Sequence, residues 1–251
     1  MDNMALGDGI SALVGAALYL FVGWRISRRP VSPQSRFAAA QFTLFWVALS
    51  GATAIGGMLS LVAAFTTPTL ALAITVTDLN ILLACALLWG LVGYLVYLYT
   101  GRGFVVPLAV LYGTLYILLL YYLTAGDPTA VLVTAGTVGV SYATPVGGPI
   151  LGILVILLIV PEFLASIAYF TLVWRTKDRT IRYRVTLVSW SLIAWFSIGS
   201  ANIGAALGGG LAAEVFGHSI GDIAALVILV AYYPPMAIRT RLGVAPIETT
   251  A

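Results

Sequence analysis

Glu162 stands directly after Pro161, midway along the apolar stretch 148–174. A charged side chain at the centre of a bilayer is costly, so each one there needs a partner or a task. The proline removes a backbone donor and leaves the Leu157 carbonyl without its usual partner. A carbonyl and a carboxyl at one depth form a candidate ion or proton site; a glutamate bonded to a neighbouring helix is the plainer alternative. Glu214, His218 and Asp222 follow one another at steps of four, which stacks them on one helix face. Asp222 lies deepest of the three, and the first two are equally readable as wet groups near a loop. Asp78 lies about two turns into its own stretch, and Asn202 sits at similar depth, in line with Trp195. If the third, fifth, sixth and seventh stretches are neighbours, Asp78, Asn202, Glu214, His218 and Asp222 are expected to line one outward-opening polar cavity. Trp190 or Trp195 would form its apolar wall and Glu162 its floor.

The chain holds 1 Cys, Cys85, and 1 His. No intrachain disulfide is available, and neither a multi-histidine zinc site nor a bis-histidine haem site can form within one chain. No metal or catalytic set is expected.

The elements that must position these groups follow from composition. The 251 residues are 61% hydrophobic and 8% charged, with mean hydropathy +1.05, whereas soluble domains carry about 25% charged residues. Lipid must be the solvent, and no polar stretch is long enough for a second domain, so residues 1–251 read as one all-α membrane domain. A span needs about 20 mostly apolar residues. Seven stretches qualify, near 8–27, 37–62, 70–98, 104–124, 148–174, 184–208 and 212–237.

All 12 Lys and Arg residues fall into four clusters: Arg25 to Arg36, Arg102, Arg175 to Arg184, and Arg239 with Arg241. The gaps at 63–69 and near 209 carry none. Basic residues in short loops stay cytoplasmic, so a seven-helix bundle is expected, multi-pass in the cell membrane, with its N-terminus outside and its C-terminus inside. The N-terminus carries Asp2 and Asp8 without a basic region and does not read as a cleaved signal peptide. The basic excess reads as topology signal and anionic-lipid contact, with no nucleic-acid partner.

In the connection 125–147, β-branched residues flank Ala135-Gly136, which reads as an external β-hairpin between helices 4 and 5. A lid over the outer mouth and a decorative loop are both open readings. Trp24, Trp174, Tyr97, Tyr99, Tyr121 and Tyr122 fall at span ends as interfacial belts. Gly56-Gly57, and Gly204 with Gly208, suit close helix packing.

Tyr19 to Trp24-Arg25 is matched by Tyr169 to Trp174-Arg175. This suggests an internal repeat, 8–98 and 148–237, in a parallel plan of three helices, one helix and three helices. The alternative, that Trp-Arg is simply common at inner helix ends, stays open. Internal repeats often place a site where they meet, near the midplane.

The topology resembles the microbial rhodopsins and the SWEET and PQ-loop transporters. The stretch from Trp190 through Trp195 to Ser200 resembles the aromatic sixth helix of rhodopsins. Rhodopsins hold retinal through a lysine in helix 7, and the one lysine here, Lys177, lies in a basic loop. Covalent retinal is therefore excluded, no cofactor is expected, and a non-covalent ligand stays open. Pro33-Gln34 lies in a basic loop, unlike the PQ signature. Ser219-Ile220-Gly221-Asp222 resembles the Gly-x-Gly-Asp motif of membrane aspartyl proteases, with Asp78 as second aspartate. Ser219 replaces the first glycine, and nothing in the sequence brings the two carboxyls together to share a proton.

Three functions remain open. Transport of a small solute or protons leads, since it uses the mid-span carboxyls and needs no further domain. A receptor-like or opsin-like sensor, signalling through a cytoplasmic partner on the basic 175–184 loop, is the alternative. An intramembrane hydrolase is remote. The expected partners are the bilayer and a small molecule or proton; a homo-oligomer stays open.

Overall fold

A computed structural model describes residues 2–28, 32–101, 103–134, 137–142, 148–204 and 210–244. Eight helices and one hairpin follow in order: α1 (Asn3–Ser27), α2 (Arg36–Phe65), α3 (Leu70–Thr100), α4 (Val105–Thr124), β1 (Pro128–Thr134), β2 (Thr137–Tyr142), α5 (Gly148–Arg175), α6 (Arg179–Gly204), α7 (Gly210–Tyr232) and α8 (Met236–Leu242). A 3-10 turn, Pro33–Ser35, precedes α2 and contains the Pro33-Gln34 pair.

Helix ends depart from the hydropathy pattern where polar caps act. α1 begins at Asn3 rather than at residue 8, because the Asp2 carboxylate accepts the Met4 and Ala5 amide hydrogens at 2.9 and 3.3 Å. These are donors that a helix start otherwise leaves unpaired. The Asp2 amide in turn donates to the Ala64 carbonyl, tying the start of α1 to the end of α2. α6 begins at Arg179 rather than 184, where Asp178 accepts the Ile181 amide hydrogen at 2.8 Å. The stretch 212–237 is two helices: α7 stops before Pro234-Pro235, and the chain bends by 57° into α8. α5 runs as one helix through Pro161.

Five helices, α1 to α5, are long and apolar enough among the described residues to cross a membrane. A sixth span counts if Ser219–Tyr232 and α8 form one broken segment. That is the extent to which a multi-pass architecture stands. The expectation of seven spans goes beyond these.

The helices pack in a closed circuit. α1 lies against α2 and α7, α2 against α3, α3 against α4 and α5, α5 against α6, and α6 against α7. Short connections alternate between two ends. One end carries the antiparallel hairpin, which packs on α2 and α3. The other carries the basic residues. α1 and α2 meet closely at Gly9 and Gly57, where a Cβ on Gly57 would stand 2.8 Å from the Ala12 Cβ. Without a hydrophobic drive between helices in lipid, such small-residue contacts bring backbones together. Ser50 Oγ adds a buried hydrogen bond to the Ala16 carbonyl at 2.8 Å.

The half of the bundle toward the basic end is filled with aromatic side chains. Phe42 stacks on Tyr94 with centroids 4.7 Å apart, Phe45 meets Trp46 edge-on at 5.3 Å, and Tyr232 approaches Phe42 at 6.3 Å. Phe42, Phe45 and Trp46 are at most 1% exposed. Phe42 and Tyr94 each lie about 9 Å from the basic end of their helix, at roughly 1.5 Å per residue. Trp24 and Trp174, by contrast, are 49% and 72% exposed near the same end, as an interfacial belt requires.

Candidate functional site

The other half of the bundle is hollow between α1, α2 and α3. A cavity of about 410 Å³ is lined there by Asp8 and Ala12 of α1, by Thr53, Gly56 and Ser60 of α2, and by Thr77, Asn80 and Ala84 of α3. Val138 of β2 lies on its wall, so the hairpin borders the cavity. Asp8 lies about 8 Å along α1 and Asn80 about 15 Å along α3, both counted from the hairpin end.

The lining is rich in acceptors. Thr53 and Thr77 donate their hydroxyl hydrogens to the Leu49 and Ala73 carbonyls of their own helices, both at 2.9 Å. This back-bonding leaves the hydroxyl oxygens as acceptors. Asn80 Oδ1 is buried and has no hydrogen-bond partner among the described residues. An unmet buried acceptor carries a desolvation cost of roughly 1–3 kcal/mol, which a bound donor would remove. Gly56 leaves room for the Asn80 amide: a Cβ at that position would already touch Nδ2 at 3.9 Å. Asp8 is 6% exposed and adds a carboxylate. The lining holds no Lys or Arg.

The same face of α1 leads onward from the cavity. Asp8, Ala12, Gly15 and Tyr19 recur at the three- and four-residue steps of one helix face. Asp222 of α7 packs there: its Oδ1 lies 2.9 Å from where a Cβ on Gly15 would stand. The Tyr19 hydroxyl hydrogen-bonds the Asp222 carboxyl. Tyr19 then meets Trp46 at 6.3 Å, at the edge of the aromatic core. A line of groups thus runs from Asp8 through Asp222 to the aromatic core.

Glu162 occupies a different interface. It is half-buried on α5 and acts electrostatically on the Tyr112 hydroxyl of α4. Tyr112 is 2% exposed, and its hydroxyl has no hydrogen-bond partner among the described residues. Beside Tyr112, an apolar crevice of about 210 Å³ separates α3 from α4, lined by Leu82, Cys85, Trp89 and Tyr116.

The expected site residues are therefore spread over several interfaces. Asp222 turns to α1 and Glu162 to α4. Asp78 is half-buried and lies off the cavity wall, which α3 builds from Thr77 and Asn80. Trp190 is exposed and edge-on to Phe170 at 6.2 Å. Asn202 lies on α6, and Glu214 and His218 lie on α7. Their side chains, and that of Trp195, are outside the described residues. The Gly204–Gly208 spacing also runs outside them, at Gly208. Among the described residues, no group of three or more His, Cys, Asp or Glu side chains is placed to hold a metal ion.

Asp8 and the Asn80 acceptor were missed in the sequence. Asp8 reads there as an N-terminal charge at the start of the first stretch, and Asn80 as a neighbour of Asp78. The signal that would have found the α1 face is the spacing of Asp8, Ala12, Gly15 and Tyr19, small or polar residues along an otherwise apolar helix.

No protein-family model matches the chain, and comparison with curated proteins and with solved structures gives no match either.

Proposed function

We propose that the chain is a seven-span protein of the cell membrane that carries a small, donor-rich solute through the α1–α3 cavity, with the hairpin end outside and proton coupling at Asp222. The observation that carries this reading is the single face of α1 that joins the polar cavity to the Asp222–Tyr19 pair and ends on the aromatic core. A polar cavity bordered by the hairpin, with a packed aromatic half toward the other end, is a form that suits one state in alternating access. A mid-span carboxyl bonded across a helix interface is a natural place for a coupled proton. The acceptor-rich lining, which includes Asp8 and among the described residues no Lys or Arg, favours amines or polyhydroxy compounds over anions. The hairpin then serves as a lid, with Val138 at the mouth.

Uptake by proteoliposomes tests this. A panel of small amines and polyols is expected to contain at least one solute that accumulates above empty vesicles. Asn80→Leu, which removes the acceptor and fills the cavity, should return uptake to background while the protein stays folded. Saturable binding without translocation by any solute would assign the cavity to sensing instead.

A further inference from the structure

At the basic end, the start of α6 and the end of α8 enclose a second pocket, of about 390 Å³. Arg179, Arg182 and Arg241 line it together with Tyr183 and Thr186, and among the described residues no carboxylate does. Arg179 Nη1 donates to the Leu242 carbonyl at 3.4 Å, which holds α8 against α6. The guanidinium groups of Arg182 and Arg241 have no hydrogen-bond or ion-pair partner among the described residues. The acid next to Arg179, Asp178, spends one oxygen on the cap of α6. Thr186 donates its hydroxyl to the Arg182 carbonyl at 2.8 Å.

Three like charges gathered on one pocket wall repel, and an anion bound among them would offset that repulsion. Guanidinium forks suit a phosphate, which accepts several charge-assisted hydrogen bonds at once. The surroundings indicate where that phosphate comes from. Leu242 in the pocket wall is 41% exposed, and on the same two helices Ile181 of α6 is 51% and Met236 of α8 78% exposed. Exposed apolar side chains next to unpaired arginines, at the end of a bundle of apolar helices, match the boundary between acyl chains and headgroups. The 57° bend at Pro234-Pro235 sets α8 off the line of α7, as an interfacial segment requires.

We infer that Arg179, Arg182 and Arg241 form a phosphate site that takes the headgroup of an anionic phospholipid and clamps α8 to α6. This does not depend on transport; it needs only the membrane setting.

The test uses the purified full chain in a neutral detergent. Thermal unfolding is followed while phosphatidylglycerol, phosphatidylcholine, or inorganic phosphate at fixed ionic strength is added. Phosphatidylglycerol should raise Tm saturably and phosphatidylcholine should not. Arg182→Gln with Arg241→Gln should weaken the apparent phosphatidylglycerol affinity about thirtyfold, the worth of two basic residues near an anionic surface. Arg28→Gln, also exposed at the basic end, should leave it unchanged. If inorganic phosphate alone reproduces the shift with the same arginine dependence, the phosphate site stands and its ligand is a free phosphoryl group. An equal shift with phosphatidylcholine, or full retention of the phosphatidylglycerol shift in the double variant, would overturn the site. Should that variant fail to fold, Arg182→Lys replaces it: a compact ammonium loses the fork, so undiminished affinity in Arg182→Lys counts against the site.

Discussion

Removing the Tyr19 hydroxyl should loosen α7 from α1 by an amount that depends on Asp222. The hydroxyl hydrogen-bonds the Asp222 carboxyl, at a point where α1 offers only Gly15 beneath the acid. Interhelical hydrogen bonds in membranes average about 0.6 kcal/mol and reach about 1.7 kcal/mol. A carboxyl acceptor held against glycine belongs toward the upper part of that range, so the expected coupling is about 1 kcal/mol. The assay is a double-mutant cycle of Tyr19→Phe and Asp222→Asn, read by reversible unfolding in bicelles. Gly15→Ala supplies an independent check. Its Cβ would stand 2.9 Å from Oδ1, so relative to a 3.4 Å contact the acid must move by 3.4 − 2.9 = 0.5 Å. That displacement should abolish most of the coupling when the cycle is repeated in the Gly15→Ala background. Single-variant effects that simply add, to within about 0.3 kcal/mol, would show that the pair is not coupled and would refute the reasoning.

Three further outcomes are expected. Gly57→Ala should destabilise by about 1–3 kcal/mol through overpacking, because its Cβ meets the Ala12 Cβ at 2.8 Å, whereas Gly7→Ala, with nothing within 4 Å, should be near neutral in the same unfolding assay. Trp46→Ala should cost about 3–5 kcal/mol and raise passive proton leak in vesicles, since it opens the core where the α1 line of groups ends. Asp222→Asn should abolish pH-dependent flux while circular dichroism stays helical; unchanged pH dependence would remove the proton-relay reading.

The helices were largely legible because hydropathy and charge act locally. The errors fall where a single polar side chain overrides them. Asp2 extends α1 back to Asn3, Asp178 extends α6 back to Arg179, and Pro234-Pro235 splits the last stretch. The hairpin was legible for the same reason, its β-branched runs flanking Ala135-Gly136, and Val133 indeed pairs with Val138 just before the turn. The site was far less legible, because a periodicity shows which residues share a face but not which helix that face meets. Asp222 was expected to look toward the third, fifth and sixth stretches, and the closure of α7 onto α1 turns it to Gly15 and Tyr19 instead. Asp78 and Asn80 differ by two residues, or about 200° around a helix, and packing against α2 brought Asn80 rather than Asp78 to the cavity. Glu162 acts electrostatically on Tyr112 because α4 packs on both α3 and α5, an arrangement that no spacing within α5 encodes.

The claim that the α1–α3 cavity opens alternately to the two sides is tested most directly by directional thiol labelling of Thr53→Cys in a Cys85→Ala background. Vesicles of known orientation would be treated with an impermeant maleimide from either face, at rest and under an imposed proton gradient. The account predicts modification from the hairpin side alone at rest, and from the basic side as well under the gradient. Modification from the hairpin side alone under both conditions, or from neither side, would contradict it.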